Sequence, residues 1–290
     1  MRPKKRWGQH FLTRPEIGVQ VAGFAAVTSA DTVVEVGAGT GILTEELAKK
    51  AKKVIAFEID TELIPGLQEK FSAVPNVEIV TGDFLKVGPE YLEKLEKFKV
   101  VANIPYYLTT PLIFLLLGFI PKIEMMVLTI QREVAERLAA KPNTREYGAL
   151  TLSVGILARV ELLKIIKKGA FRPPPRVESA VVKISPYRKL LLAPTEARVF
   201  SELVHSIFGQ RRKTILNQLA KYLKTNKIRT RSILDESGID PLRRPETLSL
   251  EEYIRLTKET IKCRGAICGT RGPRRVASTQ RGGSDKSDVL

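Results

Sequence analysis

This chain predicts an α/β fold followed by a small all-helical region, on three observations. Short β-rich runs alternate with helical ones from Asp31 to about residue 186. A glycine turn, Gly37-Ala38-Gly39-Thr40-Gly41, directly follows the first buried run. After Tyr187 the β runs stop and only helical periodicity remains. Such alternation builds a mostly parallel sheet with helices on both faces.

Each element follows from its own residues. "TVVEV" (32–36) and "KVIAF" (53–57) are the short, β-branched runs of strands buried on both faces. "VEIV" (77–80), "KVVAN" (99–103) and "IEMMVLTI" (123–130) repeat the pattern. "VELLKII" (160–166) and "SAVVKIS" (179–185) add two strands joined by a proline-rich loop. Helical spacing lies between them, over 42–51, 61–71 (with Pro65 near its first turn) and 131–140. Thr110 then Pro111 predicts an N-cap followed by the first helical residue, in a helix running to about Gly118. Beyond Pro194 helices are expected over 196–208, 211–223 and 249–262.

The expected organisation is an α/β domain over residues 1–187, opened by a basic segment (1–15), then a helical domain over 188–262. The remaining residues, 263–290, hold six Lys/Arg against two Asp and few large apolar side chains, so disorder is expected there.

The chain has 290 residues, 43% hydrophobic and 27% charged, which fits a globular protein with a substantial core. The apolar run from Pro111 to Pro121 is too short to span a bilayer. The basic N-terminus has no apolar stretch behind it, which excludes a secretory signal. Cys263 and Cys268 are the two cysteines, which excludes a disulfide scaffold and fits a reducing, cytoplasmic setting. Without a second pair they make no metal site. Lys+Arg outnumber Asp+Glu by 48 to 31, a formal +17, which attracts polyanions. A basic solvated surface is the alternative reading, but the charge is clustered. Residues 1–15 hold five Lys/Arg and no acid, and His205–Pro245 hold ten Lys/Arg and three Asp/Glu. Clustering points to a nucleic-acid surface.

The glycine turn brings backbone close to a ligand at the carboxyl end of the first strand. The dinucleotide fingerprint fails, because its last glycine position is Ile42. Glycines at every second position, Gly37, Gly39 and Gly41, are instead the pattern of S-adenosylmethionine (SAM) enzymes. A packing turn is the alternative for the loop alone. Glu58 ends the second strand, where a carboxylate accepts ribose hydroxyls, and Asp83 ends the third, where it accepts from an adenine amine. Either acid alone reads equally as a solvated loop carboxylate. Three successive strand ends with suitable groups point to one ligand. No P-loop sequence is present.

The fourth strand then faces the transferable methyl, and it ends in Asn103-Ile104-Pro105-Tyr106. A base's exocyclic amine is a poor nucleophile because its lone pair is delocalised into the ring. Two acceptors, the Asn103 side-chain carbonyl and the Pro105 backbone carbonyl, hold its protons and aim it. The Tyr106 ring offers a stacking face. Catalysis is then orientation and electrostatics. A helix-capping turn with packed tyrosines is the alternative for the tetrapeptide alone.

With these residues in place the chain resembles the small-subunit rRNA adenine dimethyltransferases, the KsgA family, over about residues 5–262. The matching segments are "GQHFL" (8–12), "VEVGAGTG" (34–41), Glu58, "GDF" (82–84), "NIPYYLTTP" (103–111), "AFRPPPRVESAVV" (170–182) and "FGQRRKT" (208–214). The resemblance implies a Rossmann-like class I SAM-dependent methyltransferase sheet. It implies dimethylation of two adjacent adenines in the 3′-terminal hairpin loop of small-subunit rRNA during ribosome biogenesis. SAM is then the cofactor, the small ribosomal subunit precursor the partner, and the protein a monomer without membrane contact. By the same resemblance His10, Leu12, Gly37, Gly39, Glu58, Asp83 and Asn103 would line the SAM site. Phe171 would wall the target base opposite Tyr106, and Arg211, Arg212 and Lys213 would face RNA phosphates. Many members carry Asn where this chain has His10 and where it has Tyr107; Tyr107 is given no chemical role.

Four rival functions have sequence features against them, and the first, a small-molecule methyltransferase, has no need of the +17 charge. Large-subunit rRNA adenine methyltransferases are related, but "FRPPPRVESAVV" and a basic helical region lean away from them. A DNA adenine methyltransferase more often has Pro where Ile104 stands. A non-catalytic assembly or transcription factor on the same fold is free to lose Asn103 or Glu58, and both are kept here.

Overall fold

The computed structural model describes residues 8–210 and 212–269, with side chains to residue 264. In chain order the elements are β1 (Phe11–Leu12), α1 (Pro15–Phe24), β2 (Thr32–Val36), α2 (Ile42–Ala48), β3 (Lys53–Glu58), α3 (Ile64–Phe71), β4 (Val77–Thr81) and α4 (Phe84–Lys94). Then come β5 (Phe98–Asn103), α5 (Thr109–Leu117), β6 (Ile123–Gln131), α6 (Arg132–Leu138), α7 (Ala149–Gly155), β7 (Ala158–Ile166), β8 (Phe171–Arg172) and β9 (Ser179–Pro186). Helices α8 (Pro194–Phe208), α9 (Ile215–Leu223), α10 (Lys227–Glu236) and α11 (Leu250–Gly269) close the described chain.

Seven strands form one sheet in the order β4-β3-β2-β5-β6-β9-β7. Pairing is parallel from β4 to β6, and β9 runs antiparallel to both its neighbours. Alternate residues feed opposite faces, as a pleated strand requires. Val34, Ile55, Val100 and Met126 join a core with α4, α5, α6 and α7, while Val33, Val54, Val101 and Val127 join a second with α1, α2 and α3. The order reverses between β2 and β5, the crevice position of open α/β sheets. Ser179 pairs with Gln131 of β6 and Ile166 of β7, so β9 starts at that same end.

Several local expectations change. Thr110 is no N-cap: a 3-10 turn (Tyr106–Leu108) runs straight into α5, which starts at Thr109 and leaves Pro111 within the first turn. Helix α9 starts at Ile215, so Arg212 and Lys213 sit in a turn closed by the Lys213 N–H donating to the Gln210 carbonyl at 3.2 Å. Helices α1, α4, α7 and α10 were not expected. Helix α11 continues to Gly269, past the point where disorder is expected, and residues 270–290 lie outside the described residues.

The last four helices have their own core around Phe200, Leu203, Ile215, Leu234, Tyr253 and Leu256. It includes Tyr147, Leu152 and Ile156 from around α7, so the helical layer is built partly on the α/β layer. The Tyr147 hydroxyl donates to the Leu248 carbonyl at 2.9 Å and ties the two. No helix among the described residues is long and apolar enough to cross a membrane.

Candidate active site

The carboxyl ends of β2, β3, β4 and β5 open on one pocket. Gly37, Gly39, Glu58, Asp83, Asn103, Pro105, Tyr106 and Phe171 line it, and His10 and Leu12 reach it from the N-terminal segment. The fold therefore gathers residues far apart in the chain, His10 and Phe171 being separated by 161 positions.

The glycine turn is hooked to the neighbouring strand: the N–H groups of Gly37 and Ala38 both donate to the Phe57 carbonyl, at 2.8 and 3.0 Å. Gly39 and Gly41 have φ of +59° and +74°, which L side chains avoid. Space forbids a side chain at Gly41, where a Cβ falls 2.8 Å from the Phe71 ring, and is tight at Gly39, where one falls 3.2 Å from the Phe11 ring. The turn thus leaves the pocket floor as bare backbone.

Glu58 is buried at 5% exposure. Its Oε2 accepts the Gly39 N–H at 2.8 Å and its Oε1 the Asp60 N–H at 2.9 Å. Burial pushes its pKa above the ordinary value, and the backbone donors Asp60, Gly39 and Ile59 pull it back. Each oxygen retains capacity for a second donor. Asp83 is the N-cap of α4, with Oδ1 accepting the Leu85 N–H at 3.1 Å. Capping orients the carboxylate at the end of β4 and leaves its other oxygen for a ligand.

On the β5 side the Asn103 amide is oriented by one bond: Nδ2 donates to the His10 carbonyl at 3.3 Å. Its Oδ1 has no donor among the described residues. The Pro105 carbonyl accepts the Leu108 N–H at 2.9 Å, closing the 3-10 turn and occupying one of its two lone-pair directions. The Tyr106 hydroxyl lies 2.9 Å from Ser179 Oγ, and its ring centroid 5.5 Å from that of His10. Burial raises the Tyr106 phenol, and Ser179 partly offsets this, so it stays protonated at neutral pH. His10 Nδ1 donates to the Pro173 carbonyl at 2.7 Å, so this ring nitrogen is engaged by the loop before β9. Phe171 lines the pocket yet is 5% exposed and sits in the core with Val101 and Val181. Tyr107 is half exposed at the mouth, against Gly8.

Three pocket residues were not foreseen as functional. Glu35, inside "VVEV", is 1% exposed beneath the glycine turn, and its Oε2 has no hydrogen-bond partner among the described residues. Burial pushes its carboxyl up to about 8; Glu58 pushes the same way, while Lys70 and the Thr44 hydroxyl, which does not reach hydrogen-bonding geometry, pull down. Gln9 donates through Nε2 to Asp60 Oδ2 at 2.8 Å, pinning the N-terminal segment to the end of β3. Ser179 holds Tyr106. All three lie in the quoted motifs: Glu35 as an acid inside an apolar strand, Ser179 at the head of "SAVVKIS", and Gln9 within "GQHFL".

Arg212 and Lys213 are exposed and do not line the pocket, and Arg211 lies outside the described residues. No group of three or more His, Cys, Asp and Glu among the described residues is placed to hold a metal.

A bare glycine floor at the switch point, with the buried Glu58 and the half-buried Asp83 as acceptors on the next two strand ends, fits an adenosine and not a phosphate. The fold and this pocket define a class I SAM-dependent methyltransferase. Comparison with known proteins narrows the class. A family model for ribosomal RNA adenine dimethylase matches residues 1–260, and the chain belongs to that family. A curated relative, ribosomal RNA small subunit methyltransferase A of Shouchella clausii, is 43% identical over 261 residues, 88% of each chain. Among solved structures, a dimethyladenosine transferase from Plasmodium falciparum superposes with a TM-score of 0.75 at 29% identity, covering 87% of this chain and 98% of that one. The 23S rRNA methyltransferase ErmE superposes at 0.71 and 29% identity, covering 86% and 98%.

Proposed function

We propose that this protein uses SAM to dimethylate the exocyclic amines of two adjacent adenines in the 3′-terminal hairpin loop of small-subunit rRNA, during ribosome biogenesis. The observation that carries the chemistry is Asn103, whose amide nitrogen is held by the His10 carbonyl and whose oxygen is thereby the acceptor. When bound, SAM supplies an electrophilic methyl group. Glu58 and Asp83 hold its ribose and adenine, and the Gly37–Gly41 turn and Leu12 shape the floor and wall. Asn103 Oδ1 and the second lone pair of the Pro105 carbonyl accept hydrogen bonds from the two amine N–H groups of the target base and turn its lone pair toward the methyl. Tyr106, braced by Ser179, stacks on the base, and Phe171 lines the far side. As the new N–C bond forms at the expense of the methyl–sulfur bond, whose electron pair stays on sulfur and leaves a neutral thioether, the amine becomes cationic and loses a proton to water; no strong general base is needed. A second cycle on the same nitrogen gives the dimethyl product.

Arg211, Arg212 and Lys213 contact RNA phosphates, and the protein acts as a cytoplasmic monomer. The curated small-subunit relatives favour this substrate over the large subunit. Labelled SAM with unmethylated small subunits, naked rRNA and duplex DNA tests the reading. Label is expected in small-subunit RNA at two neighbouring adenines, mapped by blocked reverse transcription. Label confined to DNA or to large-subunit RNA overturns it.

A further inference from the structure

The segment from Lys167 to Glu178 leaves the sheet after β7 and returns at the head of β9. Both ends abut the pocket: Ile166 pairs with Ser179, which holds Tyr106, and Phe171 lines the pocket itself. The loop carries Lys167, Lys168, Arg172 and Arg176, all exposed, and one acid, Glu178. Glu178 is bound by Arg132 at 2.8 Å, which also binds Glu136 at 2.7 Å. None of the loop's four cations has a carboxylate partner among the described residues, and Glu133 is the remaining acid in the adjoining groove.

The loop is also held in shape. Phe171 and Arg172 pair with β1, the Thr13 N–H and hydroxyl both donate to the Ala170 carbonyl at 3.0 Å, and His10 donates to Pro173. The Lys168 ammonium donates to the Arg176 carbonyl across the loop. Uncompensated cations on a braced loop are costly to gather unless an anion meets them; Lys167, Lys168 and Arg176 share one groove, and Arg172 directly follows the pocket residue Phe171. An extruded base needs its neighbouring backbone gripped close by.

We infer that this loop is a second RNA-binding surface, in which Lys167, Arg172 and Arg176 contact the phosphates flanking the base held at the pocket. The inference rests on the reading of the chain as an RNA methyltransferase, and adds an anchor beside the chemistry to the one expected before α9.

The test uses the full chain, a synthetic small-subunit 3′-terminal hairpin and unmethylated small subunits, with affinity measured across a salt series. The triple variant Lys167→Gln, Arg172→Gln, Arg176→Gln is expected to bind RNA about tenfold or more weakly. Its log–log salt slope should flatten by about two to three, from about 0.7 to 0.9 per lost contact. SAM affinity should be unchanged, which marks an intact pocket. The charge-keeping variant, Lys167→Arg with Arg172→Lys and Arg176→Lys, should retain most RNA affinity. Unchanged RNA affinity and slope in the triple variant, with wild type binding normally, overturn the loop alone. A wild-type chain that binds neither RNA overturns the loop and the methyltransferase reading together. If the triple variant loses SAM binding, Arg172→Gln and Arg176→Gln are measured singly; each should flatten the slope by roughly 0.7 to 0.9, and no change in either overturns the loop.

Discussion

The pocket has two halves, divided between β2 and β5. On the β2–β4 side the ligand-facing groups are bare backbone and the acids Glu58 and Asp83, each braced by backbone N–H groups. On the β5 side Asn103, Pro105, Tyr106, Phe171 and Ser179 carry no charge at neutral pH, and their polar groups are fixed by neutral hydrogen bonds. Acids suit a cofactor that is cationic at sulfur and rich in hydroxyls. Neutral acceptors suit an amine that must be aimed without being deprotonated. Binding and chemistry are thus assigned to different strands, and variants should separate them.

The sharpest separation is expected at Asn103. Replacing it by Ala removes an acceptor acting at the reacting nitrogen, and methyl transfer should fall by about a thousandfold, near the upper cost of losing one such group. SAM affinity, by equilibrium dialysis, should stay within about threefold. A parallel loss of both would join the halves.

Glu35 qualifies the acidic half, since its carboxyl is not an anion at neutral pH. Burial raises its pKa in the folded chain to about 8, against an ordinary 4.5. Between those values the folded chain holds a proton that the unfolded chain releases, so stability falls as pH rises. The contribution is complete below about 4.5, is lost progressively, and the decline levels off above about 8. Glu35→Gln lacks this proton. Denaturant unfolding at pH 5 and pH 9 should show wild type losing about 4 kcal/mol more than the variant across that range. Parallel losses would mean that Glu35 is charged in the folded state.

At Glu58 the expected split is the reverse of Asn103. Glu58→Gln keeps the shape and removes the charge-assisted bonds, so SAM affinity should weaken by about 10- to 100-fold. Turnover at saturating SAM should change by less than about fivefold. A large loss of turnover at saturation would place Glu58 in the chemistry.

The division was partly legible in the sequence. Parallel strands buried on both faces are continuous β-branched runs, so five strands and their order of use stood out, and with them the strand-end positions of Gly37, Glu58, Asp83 and Asn103. Helix α4 was hidden because it contains Gly88 and Pro89. Packing explains the glycine: a Cβ there would fall 2.7 Å from the Phe84 ring. Helix α1 was hidden by a basic, proline-led start. Contacts made by chain return were not readable either. Ser179 meets Tyr106 only because β9 runs antiparallel beside β6, and Gln9 meets Asp60 only because the N-terminal segment folds over β3. The protonated state of Glu35 depends on burial beneath a turn, which residue type alone does not reveal.

The smallest expected effect asks what Tyr106 contributes to the neutral half. Its ring and its hydroxyl have different tasks: the ring is a stacking face, and the hydroxyl is anchored to Ser179 at 2.9 Å. Tyr106→Phe keeps the face and loses one neutral hydrogen bond, worth about 1 kcal/mol, so transfer should fall by about fivefold or less. Ser179→Ala should match it, because it removes the same bond from the other side. Tyr106→Ala removes the face as well, and base stacking is worth about 1–3 kcal/mol, so the loss should be larger and appear in the KM for RNA. If Tyr106→Phe were as damaging as Tyr106→Ala, the hydroxyl would be acting on the amine, and the β5 half would contain a proton-handling group after all. The raised phenol pKa weighs against that outcome, since burial disfavours the phenolate that a base would require.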